Sequence, residues 1–181
     1  MRKKLSLSML PLVFVALILC AAAASAAGLS FQKLAFTNGV TGLGQYTPRS
    51  GTRFTLIDTC SVYIEAAGFA TPQLPGAEDE YGVDLAVDVA IRSSSGRRLF
   101  FEPGVDGLAT KTRSKLPMHF FAFSFPFEEW DPGTYVLEVG LRDNLGGQTV
   151  SRDLTFQVEK PTEAEIKAKQ EREVREAASR Q

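Results

Sequence analysis

Val83, Leu85, Val87, Val89 and Ile91 are all apolar, and Asp84, Ala86, Asp88, Ala90 and Arg92 lie between them. An extended backbone sends successive side chains to opposite sides, so alternation over ten residues specifies a strand with one buried face. Ser93-Ser94-Ser95-Gly96 supplies a turn, and Arg97 to Glu102 reads as the returning strand. The same period recurs at Tyr135, Leu137, Val139 and Leu141. After the turn Asp143-Asn144-Leu145-Gly146-Gly147 it returns at Val150, Leu154, Phe156 and Val158. Arg152 falls on the apolar parity of that last strand, which predicts a bulge or a strand end. Phe54 and Leu56, then Cys60, Val62 and Ile64 after a break at Asp58-Thr59, read as further strands. Leu29 to Phe36 reads as an N-terminal edge strand, and Thr41 to Gly51 as a long connection. No helical period of ten residues occurs before residue 160. The expectation is all-β: an antiparallel sandwich of about seven to eight strands with a short charged C-terminal helix.

The first 27 residues stand apart. Arg2, Lys3 and Lys4 precede an apolar run from Leu5 to Cys20, and small residues follow through Ala27. That order predicts a signal peptide, 1–27, cleaved after Ala26 or Ala27, and a periplasmic or secreted domain over 28–160. Leu19 immediately before Cys20 argues against lipid attachment at that cysteine, so contact with a membrane is expected only transiently, through the signal. Cleavage leaves Cys60 as the one thiol, with no disulfide and no CxxC, and a buried apolar role is expected for it. The chain holds 20 basic and 21 acidic residues; the leader takes three of the basic ones, leaving 17 against 21. Mild acidity argues against a nucleic-acid partner. Composition shifts at Pro161, where 161–181 becomes a charged tail with Glu163–Lys167, Glu165–Lys169 and Glu171–Arg175 spaced for ion pairs along a solvated helix.

His119, Phe121, Phe123, Phe125 and Phe127 share one parity and are expected to be core, each buried ring removing a large apolar area from water. Asp131-Pro132-Gly133-Thr134-Tyr135 places a turn before a tyrosine that opens a strand. This D-x-G-x-Y arrangement, with Asp131, Gly133 and Tyr135 as its corner, resembles the tyrosine corner of immunoglobulin-like domains, and Leu137 stands where an antibody domain has a cysteine. More broadly, Gly42-Leu43-Gly44-Gln45-Tyr46, Cys60-Ser61-Val62-Tyr63-Ile64-Glu65-Ala66-Ala67-Gly68-Phe69 and Pro132-Gly133-Thr134-Tyr135 resemble a family of uncharacterised exported bacterial proteins, in which a "G-x-Y" segment precedes a "V-Y-x-E-x-x-G/N-F" strand and a "P-G-x-Y" corner. The resemblance covers about residues 33–159. It implies an immunoglobulin- or fibronectin-III-like sandwich and brings no activity or catalytic residue.

Few side chains suggest chemistry. Glu78, Asp79 and Glu80 are adjacent in the loop 71–81, without the alternate spacing of a calcium loop, and read as solvated. Lys111, Arg113 and Lys115 alternate before Leu116, which suits protection of a strand edge or a grip on an anionic partner. GxSxG, HExxH and Walker loops are all missing, and the one His, His119, has no co-ligands in sequence. Glu128 and Glu129, being adjacent, would diverge on a strand. No enzyme activity, cofactor or metal is expected. The leading functional expectation is a cell-envelope binding or adaptor module that holds an envelope protein or glycan through loops or an edge strand. A self-associating structural protein is the first alternative. A carbohydrate-binding module is the second, and it requires exposed aromatics such as Trp130, Phe69 or Tyr81.

Overall fold

The computed structural model describes residues 28–127 and 129–179. Among them are nine strands and one helix: β1 (Ser30–Gly42), β2 (Gln45–Pro48), β3 (Arg53–Thr55), β4 (Thr59–Ala67), β5 (Tyr81–Ser93), β6 (Arg98–Thr112), β7 (Met118–Pro126), β8 (Gly133–Asp143), β9 (Gln148–Glu159) and α1 (Glu163–Ser179). They form two sheets, β2-β1-β4-β7 and β3-β9-β8-β5-β6. The chain is thus an all-β sandwich. The leader, with its cleavage site and Cys20, lies outside the described residues, as does Glu128.

The alternating segments behave as their period dictates. Val83, Leu85, Val87, Val89 and Ile91 of β5 are buried, as are Leu137, Val139 and Leu141 of β8 and Phe156 and Val158 of β9. Across the core Cys60, Val62, Ile64 and Ala66 of β4 meet them. One end is aromatic: Phe36, Phe54, Phe127 and Phe156 pack at ring separations of 5.1 to 5.9 Å, mostly edge to face.

Several expectations are corrected. The strands among the described residues number nine, and the segment Thr41–Gly51 is no simple connection: it ends β1 and contains β2, a hairpin turning at Gly44 in the left-handed region. The expected break between Phe54 and Cys60 is present, and it separates β3 from β4. Asp58 caps a sharp turn, its carboxylate accepting the Thr55 N–H at 2.9 Å, and the chain crosses there from one sheet to the other. β3 runs parallel to β9, so the sandwich is not wholly antiparallel. The strand after Ser93–Gly96 extends to Thr112, well beyond Glu102. β9 pairs with β8 from Gln148 to Val158 without a bulge; Arg152 keeps its inward parity by laying its guanidinium over the Phe31 ring, 5.5 Å from the centroid. The expected N-terminal strand forms from Ser30, and Ser30 to Phe36 pairs with β4 alone, but β1 as a whole is an inner strand because β2 pairs with its second half.

Candidate functional site: an open cleft between the sheet edges

β6 and β7 are the last strands of their sheets and lie on the same side of the sandwich. Between them is a cleft of about 750 Å³. Val89 and Ile91 of β5 floor it, Phe100 and Val105 of β6 form one wall, and Phe123 and Phe125 of β7 form the other. Trp130 closes one end, stacked on Phe125 at 5.9 Å and 19° and edge-on to Tyr135 at 5.0 Å. The mouth carries Arg97, Glu102, Glu129 and Asp131.

The opening has a local cause. β6 slips register against β5 at Leu99 and again over Pro103–Val105, both beside the cleft. The second bulge is pinned from the outer face: Gly104 N–H donates to Asp88 Oδ1 at 2.8 Å, and Arg142 grips the same carboxylate through Nε at 2.8 Å and an NH2 at 3.0 Å. The Arg142 bonds hold the Asp88 carboxyl below its ordinary range. With β6 bent in this way, Leu99, Phe100 and Phe101 keep 44%, 43% and 52% of their surface in water. Leu99 and Phe100 border the cleft, whereas Phe101 is not among its lining and lies under the Arg98 guanidinium at 5.1 Å.

The aromatic ladder is therefore split. Phe121 and Phe127 are buried, as expected of core, whereas Phe123 and Phe125 are only partly covered and face the cleft. His119 is half-buried, edge-on to Phe121 at 4.8 Å, and burial lowers its pKa. Phe69 is buried and drops out as a sugar platform, and Tyr81 is partly covered; Trp130 alone of the three expected aromatics reaches the cleft. The tyrosine corner is formed: Tyr135 Oη donates to the Asp131 carbonyl at 2.6 Å and fixes that end of the cleft. Gly133 is not sterically required, since a Cβ there would rest 3.6 Å from the Tyr135 ring.

The remaining candidates lie elsewhere. Glu78, Asp79 and Glu80 are exposed in the loop before β5, and Glu80 sits 3.8 Å from Lys111. Lys111 lies one residue before the end of β6, while Arg113 and Lys115 lie beyond it in the link to β7, Lys115 over the Tyr81 ring. They do not alternate along one strand edge. No group of three His, Cys, Asp or Glu capable of holding a metal occurs among the described residues. Cys60 is fully buried, and desolvation pushes its thiol strongly up. Glu129 is exposed with φ of 67°, a strained turn position at the cleft mouth.

Sequence reasoning missed the β6 wall. Its signal was the run Leu99-Phe100-Phe101, which breaks the period of two and therefore cannot be buried on one face of a hairpin strand. It also missed Asp143, a buried carboxylate that accepts N–H groups from Leu145 at 3.1 Å, Gly146 at 2.8 Å and Ala70 at 2.7 Å. Asp ahead of a Gly-containing turn was the available cue. Two of the three segments that carry the resemblance meet, while Pro132–Tyr135 lies apart at the start of β8 in the other sheet. Gly44 N–H donates to Tyr63 Oη at 2.7 Å, that hydroxyl donates to Glu65 at 2.7 Å, and Tyr46 stacks on Tyr63 at 4.3 Å. Burial, then the Glu65 bond, pushes the Tyr63 phenol up to about 12. The network buttresses the β1–β2 hairpin away from the cleft.

No family model and no curated protein matches the chain. Among solved structures it is similar to the alkylpurine DNA glycosylase AlkC of Pseudomonas fluorescens bound to DNA, at 14% identity and a TM-score of 0.43 over 73% of this chain and 30% of that one. A family 123 glycoside hydrolase from Clostridium perfringens gives 8% identity and 0.44, over 74% and 28%. An immunoglobulin-like protein from Pseudomonas aeruginosa, PA1606, gives 13% identity and 0.34, over 75% of this chain and 99% of that one. This chain thus spans less than a third of the two enzymes, and at such scores nothing of their activities carries over.

Proposed function

We propose that the chain is an exported, non-catalytic binding module with an immunoglobulin-like sandwich, and that its ligand site is the cleft between β6 and β7. The single observation behind this reading is the partly covered aromatic lining, Phe100, Phe123, Phe125 and Trp130, around about 750 Å³. Covering apolar surface is favourable by roughly 25 cal/mol per Å², so a sandwich that leaves such a seam open gains by filling it. The tyrosine corner supports the immunoglobulin-like assignment. Export is supported by the leader and by Leu29, which is already buried and donates its N–H to Gln148 at 3.0 Å, so the fold can begin just after the expected cleavage site. The self-association alternative is disfavoured at β6, where two bulges, Pro103 and Lys111 guard the edge.

Trp130 is the one tryptophan of the chain and so reports on the cleft. Titrating the folded domain with a naphthalene sulfonate dye should give saturable, one-to-one binding with a change in Trp130 fluorescence. The Phe125→Ser variant should lose that binding while still unfolding cooperatively. Absence of saturable binding to the folded protein would sink the reading.

A further inference from the structure

The cleft has a second kind of wall besides its rings. Phe123, Ser124, Phe125 and Pro126 border it as four consecutive residues of β7. Successive side chains of a strand leave on opposite faces, so a consecutive run means that the backbone edge of β7 forms the wall. The other edge of β7 pairs with β4 from Met118 to Pro126 with no register shift, and no strand follows β7 in its sheet among the described residues. The backbone groups that point away from β4 are therefore presented in a regular row. Such an edge is a template for one more strand. The facing edge of β6 is the opposite case, broken by bulges at Leu99 and Pro103–Val105. The seam thus has one receptive lip and one guarded lip.

We infer that this cleft receives an extended, basic peptide segment of a partner protein, which adds as a strand to the free edge of β7. The inference rests on the cleft being the binding site and names what fills it. A strand laid beside β7 sends every second side chain inward, over Phe123, Phe125 and Phe100, and so requires apolar residues at alternate positions. Main-chain bonds to β7 provide affinity, and the pockets between the rings provide specificity. The charge of the partner follows from the mouth, where Glu102, Glu129 and Asp131 outnumber Arg97. Among the described residues none of these four belongs to an ion pair. Lys or Arg at the outward positions of the added strand complements them. Pro126 offers no N–H, so the usable edge is Met118–Phe125.

The test uses a synthetic peptide matched in length to Met118–Phe125, with Val and Phe alternating with Lys and Thr. Trp130 fluorescence and amide hydrogen exchange are read together. Saturable binding should slow exchange at alternate amides of β7. A peptide N-methylated at alternate positions keeps its side chains but cannot pair, and should bind more than about tenfold more weakly. Replacing its lysines by glutamates should weaken it comparably, as should Glu102→Lys in the protein. Equal binding of the N-methylated peptide, or a Trp130 response with unchanged β7 exchange, overturns the inference. So does protection of β7 that rises with protein concentration in step with a doubling of mass, since the occupant is then a second copy. If the dye binds and the peptide does not, the cleft reading stands and the added strand falls; if neither binds, both fall.

Discussion

Tyr135 shows how one hydroxyl fixes a corner. Its bond to the Asp131 carbonyl spans four residues and ties the start of β8 to the turn that carries Trp130. A partly buried hydrogen bond of this kind contributes about 1 kcal/mol net. Tyr135→Phe should therefore lower the unfolding free energy by that amount, read as a lower urea midpoint at unchanged slope; no shift would mean that the ring alone makes the corner. Two titrating groups predict the acid limb. Burial depresses the pKa of His119 below its ordinary 6.5, so the unfolded chain takes up this proton first as pH falls. Stability is unaffected above 6.5 and declines as pH drops from there toward the folded value. Asp88 acts in the usual carboxylate direction: its stabilisation is present above 3.8 and lost as pH falls through its depressed folded value. Urea midpoints measured from about pH 7.5 to 5 should fall for the parent and stay flat for His119→Gln. A parallel fall in the variant would assign the limb to other groups.

Among the elements, α1 has the least connection to the rest. Thr162 and Glu165 form a reciprocal cap: the Thr162 N–H donates to Glu165 Oε2 at 2.8 Å, and the Glu165 N–H donates to Thr162 Oγ1 at 3.3 Å. That use of Glu165 explains why its expected pairing with Lys169 is not made. Lys169 instead donates to the Ile57 carbonyl at 2.9 Å and lies 3.9 Å from Glu173, the ion pair found within the helix among the described residues. No residue of α1 is buried. Removing residues 161–181 should change stability by less than about 1 kcal/mol and leave dye binding intact. A larger loss in thermal unfolding would show that the Lys169–Ile57 contact anchors the helix. β3 teaches the converse, since only three residues, Arg53–Thr55, carry Phe54 into the centre of the aromatic end. Its parallel pairing with β9 could not be anticipated from so short a run.

At the scale of the molecule, the enclosed aromatic cluster and the cleft rings Phe125 and Trp130 meet at Phe156, yet the two sets differ in exposure. Phe156 meets Phe36, Phe54, Phe127 and Tyr135 and has no exposure. Phe156→Ala should cost about 3–5 kcal/mol by leaving a cavity. Phe123→Ala removes a ring already partly in water and should cost less than half of that while abolishing dye binding. Equal costs by denaturant unfolding would return Phe123 to the core and close the case for a cleft.

Much of this architecture was legible in residues. Alternation in β5, β8 and β9 specified strands and their inward faces, because a period of two has one geometric solution. Pro161 and Thr162 marked the start of the helix, and Asp131–Tyr135 marked the corner, because capping and turn chemistry are local. What the sequence could not determine is how far the two sheets close. His119 through Phe127 share a parity, yet their burial depends on whether β6, distant in sequence, lies over them. Its bulge, held by Asp88 and Arg142 from two other strands, leaves Phe123 and Phe125 only partly covered. That decision belongs to tertiary structure, because it is a contact between edges that neither strand encodes alone.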